Sequence, residues 1–219
     1  MIKACIFDMD GTVVNTINSI SYFANNALNE SGLPSIDVEE YKYMVGNGAK
    51  KLIERTLNRV GSDNSLFEKV YTKYTTDYDG NFLYLTEPYE GIIEMLKAIK
   101  QKGITTTILS NKPHVTALKV NNALFGDGLI DICYGARDNI ALKPDPAGVF
   151  EIMNELGLEK DECIYIGDTS TDMKTGKSAG LYTVGGLWGF RKRDELGENG
   201  ADAIISHPDE LINIIDKLS

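Results

Sequence analysis

The sequence lacks the features that mark membrane, secreted and nucleic-acid-binding proteins. No apolar run reaches the ~18 residues that a transmembrane helix requires, so no membrane-spanning segment is expected. The apolar segment before Asp8 is too short and too soon interrupted by acid to be a signal peptide, which predicts a cytoplasmic location. The net charge of −10 makes nucleic acid and anionic membranes poor partners, so neither is expected to bind.

Cysteine is scarce as well, and its spacing matches neither a disulfide framework nor a metal site. Cys5, Cys133 and Cys163 each lie in a short apolar run that is typical of a buried strand. We interpret them as core thiols in a reducing compartment. The composition is otherwise ordinary, with 42% hydrophobic and 25% charged residues and no repeats or low-complexity segments, which argues against fibrous and disordered classes.

Short apolar segments alternate with helical patterns over most of the chain. This alternation predicts an α/β fold of the Rossmann-like type, with a mostly parallel sheet and helices on both faces. The predicted strands cover residues 3–7, 104–109, 130–134, 163–166, 182–184 and 203–205. The predicted helices cover residues 91–102, 113–124, 147–156, 171–179 and 208–218.

The segment 15–82 has a different character, because its apolar residues recur at helical spacing and it contains little strand pattern. Glycine-containing turns at residues 32–34 and 61–64 separate its helices. We therefore predict a small α-helical domain at residues 15–82, inserted after the first strand. The predicted α/β core domain consists of residues 1–14 and 83–219.

Two aspartates directly follow the first predicted strand, in the segment Asp8-Met9-Asp10-Gly11-Thr12. Residues two apart on an extended chain point the same way, so these carboxylates repel each other unless a cation or a proton lies between them. Mg²⁺ with oxygen ligands would remove that repulsion. One carboxylate could also act as a nucleophile while the other exchanges protons with the leaving alcohol and with water. Gly11 would let the backbone approach an anion, and the alternative is an Asp-Gly turn that merely ends the strand.

Two further polar groups follow later strands. Ser110 and Asn111 precede Pro113, where a hydroxyl and an amide could bind phosphate oxygens near a helix N-terminus. The alternative is that one of them simply caps that helix. Lys143, fixed by Pro144, could neutralise a phosphoryl group and the aspartates, although a lone lysine is more commonly a solvated surface residue.

The last group is Asp168 and Asp172, which follow a very apolar strand. Asp168 could complete a metal site with the first aspartates, and Asp172 could support it directly or through another ligand. Capping of the next helix is the alternative for Asp172. Because the carboxyl ends of parallel strands form one crevice, the order of these groups along the chain predicts a single site there.

In their order, the four groups resemble the four motifs of the haloacid dehalogenase superfamily of phosphatases, over nearly the whole chain. The most specific matches are Phe7-Asp8-Met9-Asp10-Gly11-Thr12 and Gly167-Asp168 with Asp172. The resemblance implies that Asp8 is the nucleophile and that Asp10 is the general acid and base, which also contacts the metal through its carbonyl. The implied catalytic residues are Asp8, Asp10, Ser110 and Lys143; the implied Mg²⁺ ligands are Asp8, Asp10, Asp168 and Asp172; and Gly11, Thr12 and Asn111 are expected to bind phosphate.

The helical insert is similar to the small cap domain of this superfamily, which closes over the site and carries specificity. Residues 45–52 and 55–57 resemble the cap of phosphoglycolate phosphatases, and residues 87–91 and 110–113 in the core are similar to the same subgroup. Gly48 would open backbone N–H groups to an anion, and Lys50 or Arg55 could pair with a substrate carboxylate. The alternative is that both cations are solvated helix residues.

The resemblance implies a Mg²⁺-dependent phosphatase acting on a small anionic phosphoester, 2-phosphoglycolate before others, through an aspartyl-phosphate on Asp8. An inorganic pyrophosphatase or a phosphosugar mutase of the same superfamily is the alternative that the motifs do not separate. A phosphorylated signalling module resembling a response-regulator receiver is more distant, because receivers are shorter and lack a helical insert. A monomer or a homodimer is expected.

Overall fold

The computed structural model describes residues 1–126 and 128–218. In these ranges the strands are β1 Ala4–Phe7, β2 Val14–Asn15, β3 Glu87–Pro88, β4 Thr105–Pro113, β5 Ile132–Ala136, β6 Cys163–Gly167, β7 Tyr182–Gly186 and β8 Ala203–Ile205. The helices are α1 Ile17–Asn29, α2 Val38–Tyr41, α3 Ala49–Arg59, α4 Phe67–Gly80, α5 Ile92–Gln101, α6 His114–Phe125, α7 Ala147–Leu156, α8 Ser170–Ser178, α9 Arg193–Glu198 and α10 Glu210–Leu218. Short 3₁₀ helices cover Asn64–Leu66 and Lys160–Glu162.

The main sheet is parallel and has the strand order β5-β4-β1-β6-β7-β8 within the described ranges. Strand β1 lies between β4 and β6, with Ala4 opposite both Thr105 and Cys163. The predicted mostly parallel α/β fold is therefore confirmed. Because β1 is a central strand, the loop that follows it leaves from the middle of the carboxyl edge, which is where this fold class places its ligands.

Both faces of the sheet are covered by helices, and alternate residues of β1 contribute to the two sides. Cys5 and Phe7 belong to an apolar cluster formed with α5, α6 and α10. Ala4 and Ile6 belong to a second cluster, which includes residues of α7. The three cysteines are buried and unpaired, which agrees with core thiols.

The helices α1 to α4 share their own apolar cluster. The two chain segments that lead into and out of this helical unit pair with each other, because β2 and β3 form an antiparallel ribbon in which Val14 lies opposite Pro88. One residue from elsewhere, Phe190, also packs into the cluster. The unit corresponds to the predicted helical insert, and its exact boundaries of residues 15–82 stay a prediction.

The structure differs from the sequence-based assignment in a few elements. Strand β4 continues through Pro113 instead of ending at Leu109, after a shift of register that places Pro113 opposite Ala136. Gly135 permits this close pairing, because a Cβ there would lie 2.6 Å from the carbonyl oxygen of Lys112. The short elements β2, β3 and α9 were not predicted. In the part of the chain that is described, no helix combines the length and apolar character needed to cross a membrane.

Candidate active site

Carboxylates from two neighbouring strands meet at the carboxyl edge of the sheet. Asp8 follows β1, while Asp168 follows β6 and Asp172 lies in the first turn of α8. Each offers a carboxylate oxygen that lies within 4.8 Å of those of the other two, and all three side chains are buried. The structure thus brings together three of the four predicted metal ligands.

Lys143 supplies the positive charge beside this carboxylate cluster. Its Nζ donates to Asp8 Oδ1 at 2.6 Å and to Asp172 Oδ1 at 2.7 Å, and the side chain is 5% exposed. The peptide bond between Lys143 and Pro144 is cis. One ammonium against three carboxylates leaves an excess of negative charge, and buried charge of one sign is costly unless a cation compensates it.

Asn111 holds Lys143 in place through the main chain. Its Oδ1 accepts from the Lys143 N–H at 2.9 Å, and its Nδ2 donates to the Lys143 carbonyl at 3.0 Å. The same Nδ2 donates to the carbonyl of Gly46 in the helical insert at 3.0 Å. The amide predicted to bind phosphate is therefore engaged with protein groups, and it connects the lysine to the insert.

Gly11 and Thr12 pack against Asp168. The Thr12 hydroxyl donates to Asp168 Oδ1 at 3.1 Å, and the Phe190 N–H donates to Asp168 Oδ2 at 2.7 Å. Gly11 has φ +96°, and a Cβ there would lie 2.3 Å from Asp168 Oδ2. These residues orient the carboxylate of Asp168, which is a different contact from the phosphate binding that the sequence predicted for them.

The sequence left open whether Asp172 caps a helix or supports the metal site, and its contacts agree with both. Its Oδ2 accepts from the Thr169 N–H at 3.1 Å and from the Thr169 hydroxyl at 2.6 Å, which forms a capping box at the start of α8. Its Oδ1 accepts from Lys143. Helix capping therefore fixes Asp172 while its other oxygen faces the carboxylate cluster.

The proton affinities of the cluster reflect its burial and its charge. Burial, with the neighbouring charge of Asp172, raises the pKa of Asp8 to about 7, although Lys143 works in the opposite direction. Burial, with the charges of Asp172 and Asp8, raises the pKa of Asp168 well above its usual range. Buried oxygen donors with an excess of negative charge are suited to a hard divalent cation.

The side chain of Asp10 is not one of the three clustered carboxylates, and it pairs with a lysine that the sequence did not predict for the site. Lys112 Nζ lies 2.9 Å from Asp10 Oδ1 and 3.1 Å from Oδ2, and it also donates to the Tyr78 hydroxyl at 2.8 Å. Burial acts to lower the pKa of Lys112, but the charge of Asp10 and the contact with Tyr78 outweigh it and raise the pKa above its usual range. A contact of Asp10 with a metal would therefore come from its main-chain carbonyl, which stays a prediction.

A signal for Lys112 was present in the sequence. Residues two apart in a strand point to the same side, so a strand extended past Leu109 would place Lys112 on the side of Ser110. The Ser110 hydroxyl accepts from the Lys112 N–H at 3.2 Å, and both residues line a cavity between the sheet edge and the helical insert. Tyr78 carried no such signal, because its contact with Lys112 depends on how the insert packs over the core.

This cavity contains Asp8 and Asp10 at its floor, and residues of α1, α3 and α4 form much of its opposite wall. Gly48 lines it, and its backbone contact with substrate stays a prediction. Lys50 is exposed, and Arg55 donates to the Met44 carbonyl at 2.7 Å and to Asn47 Oδ1 at 2.8 Å. The structure therefore does not bring these two predicted carboxylate partners to the cavity wall.

The fold and the carboxylate cluster define an α/β enzyme in which an inserted helical unit covers the centre of a parallel sheet's carboxyl edge. A profile of the haloacid dehalogenase-like hydrolases matches residues 5–185, and the chain belongs to this family. The family membership inferred from the motifs is confirmed.

The similar proteins support the enzyme class. A phosphoglycolate phosphatase of Aquifex aeolicus is 28% identical over 98% of this chain and 97% of its own length. An N-acetylmuramic acid 6-phosphate phosphatase of Pseudomonas aeruginosa is also 28% identical, over 99% of this chain and 96% of its own. A solved structure of a candidate phosphoglycolate phosphatase from Lactobacillus delbrueckii subsp. bulgaricus superposes with a TM-score of 0.91 at 28% identity, covering 97% of this chain and 98% of that one. The chain is a phosphatase similar to phosphoglycolate phosphatases.

Proposed function

We propose that this protein is a Mg²⁺-dependent phosphatase that hydrolyses 2-phosphoglycolate through an aspartyl-phosphate on Asp8. The observation that carries the proposal is the position of Asp8, between Lys143 and the buried carboxylates on one side and the cavity on the other. A nucleophilic carboxylate needs access to the phosphorus and neighbouring positive charge, and this position supplies both.

Asp8, Asp168 and Asp172 are the side chains that would hold Mg²⁺, because their buried oxygens converge and carry more negative charge than Lys143 offsets. When bound, the ion would neutralise charge between these carboxylates and the phosphoryl oxygens. Lys143 and the Ser110 hydroxyl would bind the phosphoryl oxygens from the protein side. Thr12 and the Phe190 N–H keep Asp168 oriented.

The reaction proceeds in two displacements. An oxygen of Asp8 forms a bond to phosphorus as the bond from phosphorus to the substrate's ester oxygen breaks, and Asp10 gives its proton to that oxygen. Asp10 then takes a proton from water as the water oxygen attacks phosphorus, which releases phosphate and restores the carboxylate of Asp8. Positioning of these groups and electrostatic stabilisation contribute most of the rate acceleration.

The choice of 2-phosphoglycolate rests on the names of similar proteins. The Aquifex aeolicus and Lactobacillus delbrueckii proteins are named for this activity. A sugar phosphate is the second candidate, because the Pseudomonas aeruginosa relative is named for N-acetylmuramic acid 6-phosphate at the same identity.

Phosphate release from a panel of esters tests the proposal. The panel contains 2-phosphoglycolate, N-acetylmuramic acid 6-phosphate, glucose 6-phosphate and pyrophosphate, each with Mg²⁺ and with a chelator. We expect Mg²⁺-dependent release with the highest kcat/KM for 2-phosphoglycolate. The Asp8→Asn variant should lose on the order of 10⁴-fold or more in kcat, whereas Asp209→Asn, at an exposed position, should match the wild type. Retained activity in Asp8→Asn would reject the mechanism, and a preference for another ester would reject the substrate.

A further inference from the structure

The cavity wall contains one cationic side chain among the described residues, and it is not one that the sequence assigned to the substrate. That residue is Lys112, which is 7% exposed. Resting on the proposed function, we propose that Lys112 determines specificity, by binding a carboxylate that the leaving group carries next to its ester oxygen.

The position of Lys112 relative to Asp10 supports this assignment. Both oxygens of Asp10 lie within 3.1 Å of Lys112 Nζ. Since Asp10 is the proposed proton donor to the ester oxygen, that oxygen must come within hydrogen-bond reach of Asp10 during the reaction. In glycolate a single carbon separates the ester oxygen from the carboxylate, so a carboxylate bound this close to Asp10 can reach Lys112 Nζ.

Apart from the backbone at Gly48, much of the remaining cavity wall disfavours an anion. Ile20, Val45 and Leu52 form apolar surface, and Asp79 adds a negative charge that is paired with the Thr116 hydroxyl at 2.6 Å. A carboxylate placed against these groups would lose hydration without gaining a cation. Lys112 is therefore the most favourable side chain in this wall for a second anionic group of the substrate.

Lys112 can bind a substrate carboxylate without giving up all of its present hydrogen bonds. Its ammonium has three N–H donors, and these now serve the two oxygens of Asp10 and the hydroxyl of Tyr78. A substrate carboxylate can replace one Asp10 oxygen while the other remains bound. Lys112 would then hold the leaving group and the proton donor together, so its loss affects a carboxylate-bearing ester more than a neutral one.

The test compares 2-phosphoglycolate with 2-hydroxyethyl phosphate, which replaces the carboxylate by a neutral alcohol. We expect Lys112→Met to reduce kcat/KM for 2-phosphoglycolate by about 10- to 100-fold more than for the neutral ester, the range of a hydrogen bond to a charged group. Lys97→Met, at an exposed position on α5, should leave the ratio of the two kcat/KM values unchanged. An equal loss for both esters in Lys112→Met would show that Lys112 only positions Asp10, and would overturn the assignment.

The wild-type protein provides a second measurement that does not depend on the folding of a variant. It should prefer 2-phosphoglycolate over 2-hydroxyethyl phosphate by at least about 10-fold in kcat/KM. Similar values for the two esters would reject the role of Lys112 and leave the proposed function standing. No release from 2-phosphoglycolate by the wild type would reject the proposed function, and the specificity assignment with it.

Discussion

At the scale of single residues, Asn111 in β4 connects Lys143 with the helical insert. Its amide fixes the main chain of Lys143 from both sides and also bonds to Gly46 of the insert. A side chain with this pattern acts through the residue it holds, since its own polar atoms are already satisfied. Asn111 is thus better described as positioning Lys143 than as contacting phosphate.

We predict that Asn111→Ala lowers kcat about 10- to 100-fold and decreases the free energy of unfolding by about 1–3 kcal/mol, because it leaves buried N–H and C=O groups of Lys143 unpaired. Steady-state kinetics and chemical denaturation measure the two effects. The double variant with Lys143→Ala should be no slower than Lys143→Ala, since both changes disable the same group. Asn154→Ala on the exposed face of α7 is the control. Additive losses in the double variant would contradict the positioning role.

Gly11 is required by space as well as by backbone conformation. Its φ is +96°, and a Cβ would overlap the carboxylate of Asp168. Gly32 has φ +76° with nothing within 4 Å of an added Cβ. Comparing alanine substitutions at Gly11 and Gly32 separates the free-energy cost of the positive φ from the cost of the overlap with Asp168.

We predict that Mg²⁺ raises the Tm of the wild type and that Gly11→Ala, which displaces Asp168, abolishes this rise. Gly32→Ala should lose about 1–2 kcal/mol of stability from backbone strain and keep the full Mg²⁺-dependent rise. Thermal unfolding with Mg²⁺ and with chelator measures both. A Mg²⁺ response in Gly11→Ala equal to that of Gly32→Ala would show that Asp168 tolerates the added methyl group.

At the scale of elements, local patterns predicted the sheet and its covering helices well. Strands such as β6 are apolar throughout because they are buried on both faces, and that composition is visible in the sequence. The sequence did not predict where β4 ends, because Ser110 and Asn111 suit a helix start as well as a strand. What extends β4 is its pairing with β5, which depends on Gly135 far along the chain.

The parts of the site that local patterns missed are those formed by contacts between residues of different elements. Arg55 has the charge expected of a carboxylate partner, but the fold directs it to Met44 and Asn47. Lys112 reaches Tyr78 across the cavity. Neither outcome follows from spacing, because the contacts of Arg55 depend on packing within the insert and that of Lys112 depends on the placement of the insert over the core.

We predict that the helical insert loses its structure independently of the core when its own apolar cluster is weakened. Leu57 is fully buried in that cluster, and Leu96 is fully buried in the core. Either change to Ala should cost about 2–5 kcal/mol. Limited proteolysis of Leu57→Ala should cut first within residues 15–82, whereas Leu96→Ala should not favour that segment. Early cuts outside residues 15–82 in Leu57→Ala would contradict the predicted domain boundaries.

At the scale of the whole molecule, an acidic protein must bind an anionic substrate beside a cluster of its own carboxylates. The net charge is −10, and Asp8, Asp168 and Asp172 are buried together. Protons and a divalent cation are two alternative ways of neutralising these carboxylates. Stability should therefore depend on pH and on Mg²⁺ in a linked way.

The raised pKa of Asp8, about 7 in the folded protein without metal, sets the direction of this dependence. The folded state then holds a proton more tightly than the unfolded state, whose Asp has a pKa of about 4. The contribution of Asp8 to stability is complete below about pH 4 and is lost as the pH rises through 7. In chelator, this group lowers Tm between pH 5 and pH 8. Mg²⁺ replaces the lost protons, so the rise in Tm on adding Mg²⁺ should be larger at pH 8 than at pH 5.

Thermal unfolding at pH 5, 6, 7 and 8, with Mg²⁺ and with chelator, measures this linkage. Asp8→Asn carries no titrating group at that position, so its Tm in chelator should fall less between pH 5 and pH 8 than that of the wild type. Asp209→Asn changes an exposed carboxylate and should follow the wild type. If Asp8→Asn and the wild type lose the same Tm over this range, or if Mg²⁺ raises Tm equally at all four pH values, the buried carboxylates are not where protons and the cation compete.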